Sequence, residues 1–228
     1  MKDLHTHALS SIDDGAHSIK ESISMLEESF RQGVSVCALT PHCLIHTVND
    51  IDIFLSKRSR RFEDLLNHTK DKEIPNLILG AEVYADHDIS VNEGLEKLCL
   101  GNSKYILLEL PFMKKYGWFA ECVHSLNIRG ITVIVAHIDR YPEWENIISE
   151  LKGLRVVYEI NADKFLTFRG RKRARKIIQY GKNYIISSDM HNTTTRKTNI
   201  KKAFEMAEKI DTEFSKSCNF TIKNEEFF

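Results

Sequence analysis

Short apolar runs rich in Val, Ile and Leu alternate along this chain with amphipathic stretches of ten or more residues. No other feature constrains the fold as tightly, because a strand, a helical stretch and another strand, repeated, is the pattern of βα units and a parallel sheet. Strands are expected at 2–5, 34–39, 76–81, 105–109, 131–136, 155–160 and 184–187. Helices are expected at 18–32, 50–70, 90–98, 116–128, 143–151, 170–180 and 194–210, which makes seven units of an α/β fold. The first helix is the best marked: Ser18 and Glu21 form a capping box, Ile19, Ile23, Leu26 and Phe30 an apolar stripe, and Gly33 the stop. Gly181 closes the sixth helix in the same way, whereas 211–228 has no clear period and reads as a docking strand or a frayed end.

One core is enough for 228 residues, since single α/β barrels run to about 200–250 residues. One domain over 1–228 is therefore expected. Thirty-two basic residues balance 32 acidic ones, so no global field draws the chain to nucleic acid or an acidic membrane surface, and any anion must be held locally. The five cysteines (Cys37, Cys43, Cys99, Cys122, Cys218) are odd in number and contain no Cys-x-x-Cys pair. That excludes a disulfide framework and a thiolate zinc site and fits a reducing cytosol. No apolar run approaches the ~18 residues of a membrane span, so a soluble cytoplasmic protein without membrane insertion is expected.

The chemistry lies where the potential metal ligands fall. His5 and His7 close the first strand, His42 follows the second, Glu82 follows the third, Glu109 ends the fourth, His137 follows the fifth, and Asp189 with His191 follows the seventh. Taken singly, each reads as a cap or a satisfied polar group; recurrence at the same end of six strands does not. In a closed parallel barrel those ends meet on one face, which is where such barrels place their active sites. Imidazoles and carboxylates without thiolates suit manganese, iron or zinc and leave room for water.

Spacing supports the grouping. Residues i and i+2 of an extended segment point to one side, so both imidazoles of His5-Thr6-His7 can reach one ion, and Asp189-Met190-His191 repeats the arrangement. Asp13-Asp14-Gly15 reads as a turn that places a carboxylate over the mouth. Arg140 and Arg196 follow His137 and His191 in mouth loops, and a guanidinium fork matches phosphate. The bland alternative for Arg196 is a charge on the face of the last helix. His17, His46, His68, His87 and His124 stay outside the site, with His87 close enough to Glu82 to sit at the mouth.

His-Thr-His, Ile-Asp-Asp-Gly, Thr-Pro-His, Gly-Ala-Glu, Leu-Leu-Glu-Leu-Pro-Phe, Ala-His-Ile-Asp-Arg-Tyr and Ser-Ser-Asp-Met-His-Asn, in that order, resemble the polymerase-and-histidinol-phosphatase (PHP) superfamily. Within it the order is similar to the capsule and exopolysaccharide branch, the bacterial manganese-dependent protein-tyrosine phosphatases, over Leu4 to about Arg196. The resemblance implies a distorted TIM-like (β/α)7 barrel of the PHP type with three divalent metal ions, manganese first, with iron or zinc as alternatives. By the same resemblance His5, His7, Glu82 and Asp189 would hold one ion, and Glu82 (bridging), Glu109 and His137 a second. Asp14, His42 and His191 would hold the third, and Arg140 and Arg196 would grip the phosphate. Such a site hydrolyses phosphotyrosine by direct attack of a metal-bound hydroxide, and the implied partner is the tyrosine-rich tail of a bacterial tyrosine kinase controlling polysaccharide export. Ile138 and Asp139 depart from the family's usual Pro-Glu, Cys43 stands where a second histidine or another polar residue is common, and Glu159–Gly170 is a loose match.

Of three rival readings, one is closed and two remain. A cysteine-based tyrosine phosphatase would need Cys-x5-Arg, which no cysteine here satisfies. A small-molecule phosphatase of the same superfamily, similar to histidinol phosphatase, would use the same cluster. A non-catalytic module would keep its metals for structure while docking a kinase or the polysaccharide machinery. The basic run Arg169, Arg171, Lys172, Arg173, Arg175 and Lys176 reads as a solvated helix face with Ala174, Ile177 and Ile178 turned inward, available to steer an acidic phosphopeptide; without interleaved aromatics it does not read as a nucleic-acid surface. An oligomer is compatible with all of these readings.

Overall fold

A computed structural model describes residues 1–47, 49–112, 117–180, 183–210 and 227. Its strands are β1 (Lys2–Thr6), β2 (Val36–Leu39), β3 (His42–Leu44), β4 (Asn76–Leu79), β5 (Glu82–Tyr84), β6 (Tyr105–Glu109), β7 (Thr132–Val135), β8 (Val156–Asn161) and β9 (Tyr184–Ser187). Its helices are α1 (Ile19–Arg31), α2 (Asp50–Asn67), α3 (Phe119–Ile128), α4 (Trp144–Glu150), α5 (Phe168–Tyr180) and α6 (Ile200–Ile210). All the strand pairs are parallel, in a three-stranded sheet β1-β2-β4 and a six-stranded sheet β3-β5-β6-β7-β8-β9.

The two sheets arise from two breaks. The second apolar run bends at Thr40-Pro41 and the third at Gly80-Ala81, so each becomes two short strands. Proline has no N–H to give to a ladder, but its carbonyl accepts the amide of Glu82 at 3.1 Å. The bends carry His42 and Glu82 onto β3 and β5, side by side in register, where the sequence reading had them follow the second and third strands. At the other margin, His5 and Met190 carbonyls accept the amides of Asp189 and His7, each at 2.9 Å, and tie β1 to the segment after β9. Buried Asp3 accepts the Ser188 amide at 2.9 Å and holds the same seam.

Strand interiors are apolar on both faces, as parallel sheets covered by helices require: Ile106, Leu107 and Leu108 of β6 and Val133, Ile134 and Val135 of β7 are fully buried. Helix α1 begins as expected, with Ser18 Oγ accepting the Glu21 amide at 3.2 Å, although the Glu21 carboxylate reaches back to the His17 amide rather than that of Ser18. Gly33 at φ +88° follows as the stop. The buried stripe of α1 is Ser22, Met25, Leu26 and Ser29; Ile19 and Ile23 are only partly covered and Phe30 is exposed, so the sequence stripe was rotated by about a residue.

Two expected helices are corrected. At 90–98 only a 3-10 turn, Leu95–Leu98, forms. Asp88 captures the Ser90 amide and Gly94 sits at φ +80°, which interrupts any helix begun earlier. The last helix starts at Ile200 rather than 194, because Asn192 Oδ1 takes the amides of Thr194 and Arg196 and folds that stretch into a loop. Gly181 lies outside the described residues, as does 211–228 except for Phe227, whose ring is buried and whose carbonyl accepts the Asn102 amide. On α5, Ala174 and Ile177 are buried as expected, while Arg171 and Arg173 turn back onto the carbonyls of Phe165 and Tyr141. No helix among the described residues is long and apolar enough to cross a membrane.

Candidate metal centre

All nine candidate ligands come together on one face of the sheets: His42 and Glu82 open β3 and β5 just past the ends of β2 and β4, Asp14 reaches in from the loop after β1, and the others lie at or after the C-terminal ends of β1, β6, β7 and β9. His5 Nε2 and His7 Nε2 stand 3.1 Å apart. Glu82 Oε2 is 3.1 Å from the first and 3.2 Å from the second, and Asp189 Oδ1 is 3.4 Å from each. Ligands about 2.1 Å from a shared ion lie roughly 3.4 Å apart in a tetrahedral shell, and His5, His7 and Asp189 have that mutual spacing, with Glu82 approaching from the side of the two imidazoles. These four side chains are almost completely buried.

Glu82 faces two ways. Its Oε1 is 3.0 Å from His137 Nε2, and Glu109 Oε1 is 3.4 Å from the same nitrogen. Its Oε2 also meets His42 Nδ1 at 2.9 Å. Beyond His42, Asp14 Oδ1 is 3.3 Å from His42 Nε2 and 3.5 Å from His191 Nε2. His7 joins that outer group, its ring stacked on His191 at 3.8 Å. His7 therefore stands between two groups that the resemblance kept apart.

Arg140 and Arg196 converge on one atom, Oδ2 of Asp189; the Arg196 contact is 3.0 Å, and Arg140 donates to the same oxygen. Both guanidiniums remain partly exposed. Arg196 is a loop residue, not a helix-face charge: its carbonyl accepts the His191 amide at 2.8 Å, and its own amide goes to Asn192.

Three carboxylates that the sequence reading did not place support the ligands. Glu159 Oε2 lies 3.1 Å from His5 Nδ1 and also accepts the His137 amide. Asp13 Oδ2 lies 2.7 Å from His7 Nδ1 and accepts the His42 amide at 3.1 Å. Asp139 accepts the Asn161 amide, and the Asn161 side chain donates to Asp189. A carboxylate behind a ligating imidazole fixes its ring and tautomer and raises its basicity. Only Asp13, adjacent to Asp14, had a local signal; Glu159 lies mid-strand within an apolar run. Gly15 is needed for close approach, since a Cβ there would meet the His7 carbonyl oxygen at 2.1 Å.

Backbone strain marks the same place. His137 (φ +33°) and Asp189 (φ +50°) occupy the left-handed region, which costs about 1–3 kcal/mol each for a residue with a side chain.

Burial alone would lower the pKa of His5 and His7, but the carboxylates around them outweigh it and hold both well above the ordinary imidazole value. Burial would raise Glu82 and Asp189, yet the imidazoles keep both well below the usual carboxylate range. In His137 the Glu109 and Glu82 contacts overcome burial and bring it to about 9, whereas burial and the neighbouring His7 push His191 down to about 4. Carboxylates and imidazoles alternate through this buried cluster, and divalent ions fit it because they neutralise the carboxylates while using imidazole lone pairs. His191 Nε2, which faces Asp14 in the outer group, makes no hydrogen bond, as suits a nitrogen that can ligate such an ion.

A pH signature follows. An imidazole whose folded pKa lies above its unfolded value of about 6.5 stabilises the fold fully below that pH and ceases to do so as pH rises through the folded value. For His137 that window is 6.5 to about 9. Metal uptake runs the other way, because ligands bind as neutral imidazoles. The melting temperature of EDTA-treated protein is expected to fall across this window while manganese affinity rises. A metal-free melting temperature that climbs across it contradicts the assignment.

The thiols among the described residues take no part in the cluster. Cys37, Cys43, Cys99 and Cys122 are buried and unpaired, and burial raises Cys43 to about 12, so it is protonated beside His42; Cys218 lies outside the described residues.

A family model described as capsular polysaccharide synthesis, CpsB/CapC, matches residues 1–226. The chain belongs to this CpsB/CapC family. Among similar family members, the tyrosine-protein phosphatase CpsB of Streptococcus agalactiae serotype III (strain NEM316) is 28% identical over 226 residues, spanning 90% of this chain and 89% of that protein. The tyrosine-protein phosphatase YwqE of Bacillus subtilis (strain 168) is 26% identical over 224 residues, spanning 92% and 84%. A crystal structure from work on YwqE of B. subtilis and CpsB of Streptococcus pneumoniae, described as unique metal-dependent tyrosine phosphatases, superposes with a TM-score of 0.76. It covers 96% of this chain and 94% of that one at 21% identity, which establishes a shared fold.

Proposed function

We propose that this chain is a metal-dependent protein-tyrosine phosphatase, one catalytic domain over 1–228, acting in the cytoplasm on the phosphotyrosine tail of a kinase that regulates capsule or exopolysaccharide synthesis. Family membership and the names of its relatives support the activity. The observation that carries it is that Glu82 and Asp189 each approach both His5 Nε2 and His7 Nε2 at 3.1–3.4 Å, with two partly exposed arginines on Asp189. We read the β1–β9 seam as closing the sheets into a distorted (β/α)7 barrel whose mouth holds the site.

Three divalent ions, manganese first, fit the nine ligands. His5, His7, Glu82 and Asp189 would hold one, Glu82, Glu109 and His137 a second, and Asp14, His42 and His191 a third, with His7 close to the last group. When bound, such ions generate hydroxide at neutral pH and neutralise charge on a phosphoryl group. The chain does the rest. Arg140 and Arg196 bind the phosphate oxygens and balance the charge that grows on them. Glu159 and Asp13 hold the imidazoles in the tautomer that leaves Nε2 free. Phe112, part of the Glu-Leu-Pro-Phe segment, is 41% exposed and stacks on His137 (5.8 Å) and Tyr141 (5.2 Å), so it offers its outer face to an aromatic ring beside the arginines.

The test is the manganese-loaded protein with phosphotyrosyl peptide and with histidinol phosphate. Higher kcat/KM on the peptide supports the reading; faster cleavage of histidinol phosphate would move the chain to the small-molecule branch. Phe112→Ala is expected to raise KM for phosphotyrosyl peptide about fivefold, since an aromatic pair contributes about 0.5–1.5 kcal/mol, and to leave KM for an alkyl phosphate unchanged. An equal rise for both substrates would remove the ring-stacking role.

A further inference from the structure

A second group of potential ligands stands just past the ends of the same two strands. His42 and Glu82 are register partners on β3 and β5. Four residues farther along each chain come His46 and Asp86, with His87 next to the latter. His46 and His87 are exposed whereas Glu82 is buried, which sets this group at the rim of the cluster. One ligand atom from each of His46, Asp86 and His87 lies within 4.8 Å of the others. The two imidazoles stack at 6.0 Å and 24°, and His87 Nδ1 is 2.7 Å from Asp86 Oδ1. The Asp50 carboxylate accepts the His46 and Thr47 amides at 2.8 and 2.7 Å, which fixes the backbone that presents His46.

We propose that His46, Asp86 and His87 form a separate divalent transition-metal site at the rim, of the zinc class, distinct from the nine-ligand cluster. Two imidazoles and one carboxylate are the three protein ligands of an open zinc site, with a fourth position left to water or an incoming anion. Such a set prefers zinc, nickel or copper to manganese, and it excludes calcium and magnesium, which demand oxygen donors. Because His46 and His87 are exposed, the ion exchanges with solvent independently of the buried cluster. An anionic side chain next to a bound phosphotyrosine could take the fourth position.

Zinc content after equilibrium dialysis of the full chain tests this. Wild type is expected to hold one zinc more per chain than H46Q/H87Q, and Asp86→Asn is expected to lose the same ion. The inner-cluster variant H5A/H7A retains the rim ion, and combining it with H46Q/H87Q removes it. Equal zinc content in wild type and H46Q/H87Q overturns the rim site. Failure of the inner cluster is distinguishable, because then H5A/H7A, not H46Q/H87Q, matches wild type. Circular dichroism confirms that each variant is folded; should H46Q/H87Q unfold, the Asp86→Asn zinc count decides alone.

Discussion

Glu82→Gln is expected to lower kcat about a thousandfold, the loss that corresponds to several kcal/mol of transition-state charge stabilisation by a correctly placed metal at about 1.36 kcal/mol per tenfold. Glu82 meets four candidate ligands through two separate oxygens: His5, His7 and His42 approach one and His137 the other. An amide has nearly the same shape but cannot give two anionic oxygens to two ions. Metal content should fall with kcat, because a ligand shared by two positions weakens both. Steady-state kinetics on p-nitrophenyl phosphate with metal analysis checks this. A variant within tenfold of wild type with unchanged metal would remove Glu82 from its bridging role.

The R140A/R196A double variant separates binding of phosphate from binding of metal. Both guanidiniums meet Asp189 Oδ2, yet each has donors left over and stands at the open side of the cluster. Removing them should lower kcat/KM by about a hundredfold to a thousandfold, the range seen when preorganised donors to developing negative charge are deleted. Metal content should stay near that of wild type, since neither arginine can ligate a cation. Lysine at both positions should restore little, because a point charge does not reproduce the bidentate fork. A double variant with unchanged kcat/KM, or one that loses its metal instead, contradicts the assignment.

Eight of the nine candidate ligands were legible for a geometric reason: each stands at or just past the end of an apolar run, and parallel strands bring those ends to one face whatever the helices between them do. Asp14, in a turn, came from the family resemblance instead. The breaks at Thr40-Pro41 and Gly80-Ala81 were not legible as strand divisions, since proline and glycine there read equally well as the start of a loop. Arg196 was ambiguous because Thr194–Lys202 has helix-compatible composition, and the loop depends on Asn192 capturing amides two and four residues away. Glu159 and Asp139 could not be found locally: their partners, His5, His137 and Asn161, are brought near only by the assembled sheet. The helix expected at 90–98 failed where side-chain capture of amides by Asp88 and a left-handed Gly94 override a permissive pattern.

The central claim is that the buried histidine and carboxylate cluster binds the metal on which phosphatase activity depends. Its most direct test is metal content and phosphotyrosyl-peptide hydrolysis measured together on wild type and the H5A/H7A variant, both shown to be folded. The account predicts that the variant loses inner-cluster metal and activity together, with neither restored by excess manganese. A folded H5A/H7A protein that hydrolyses the peptide at the wild-type rate without metal would contradict it.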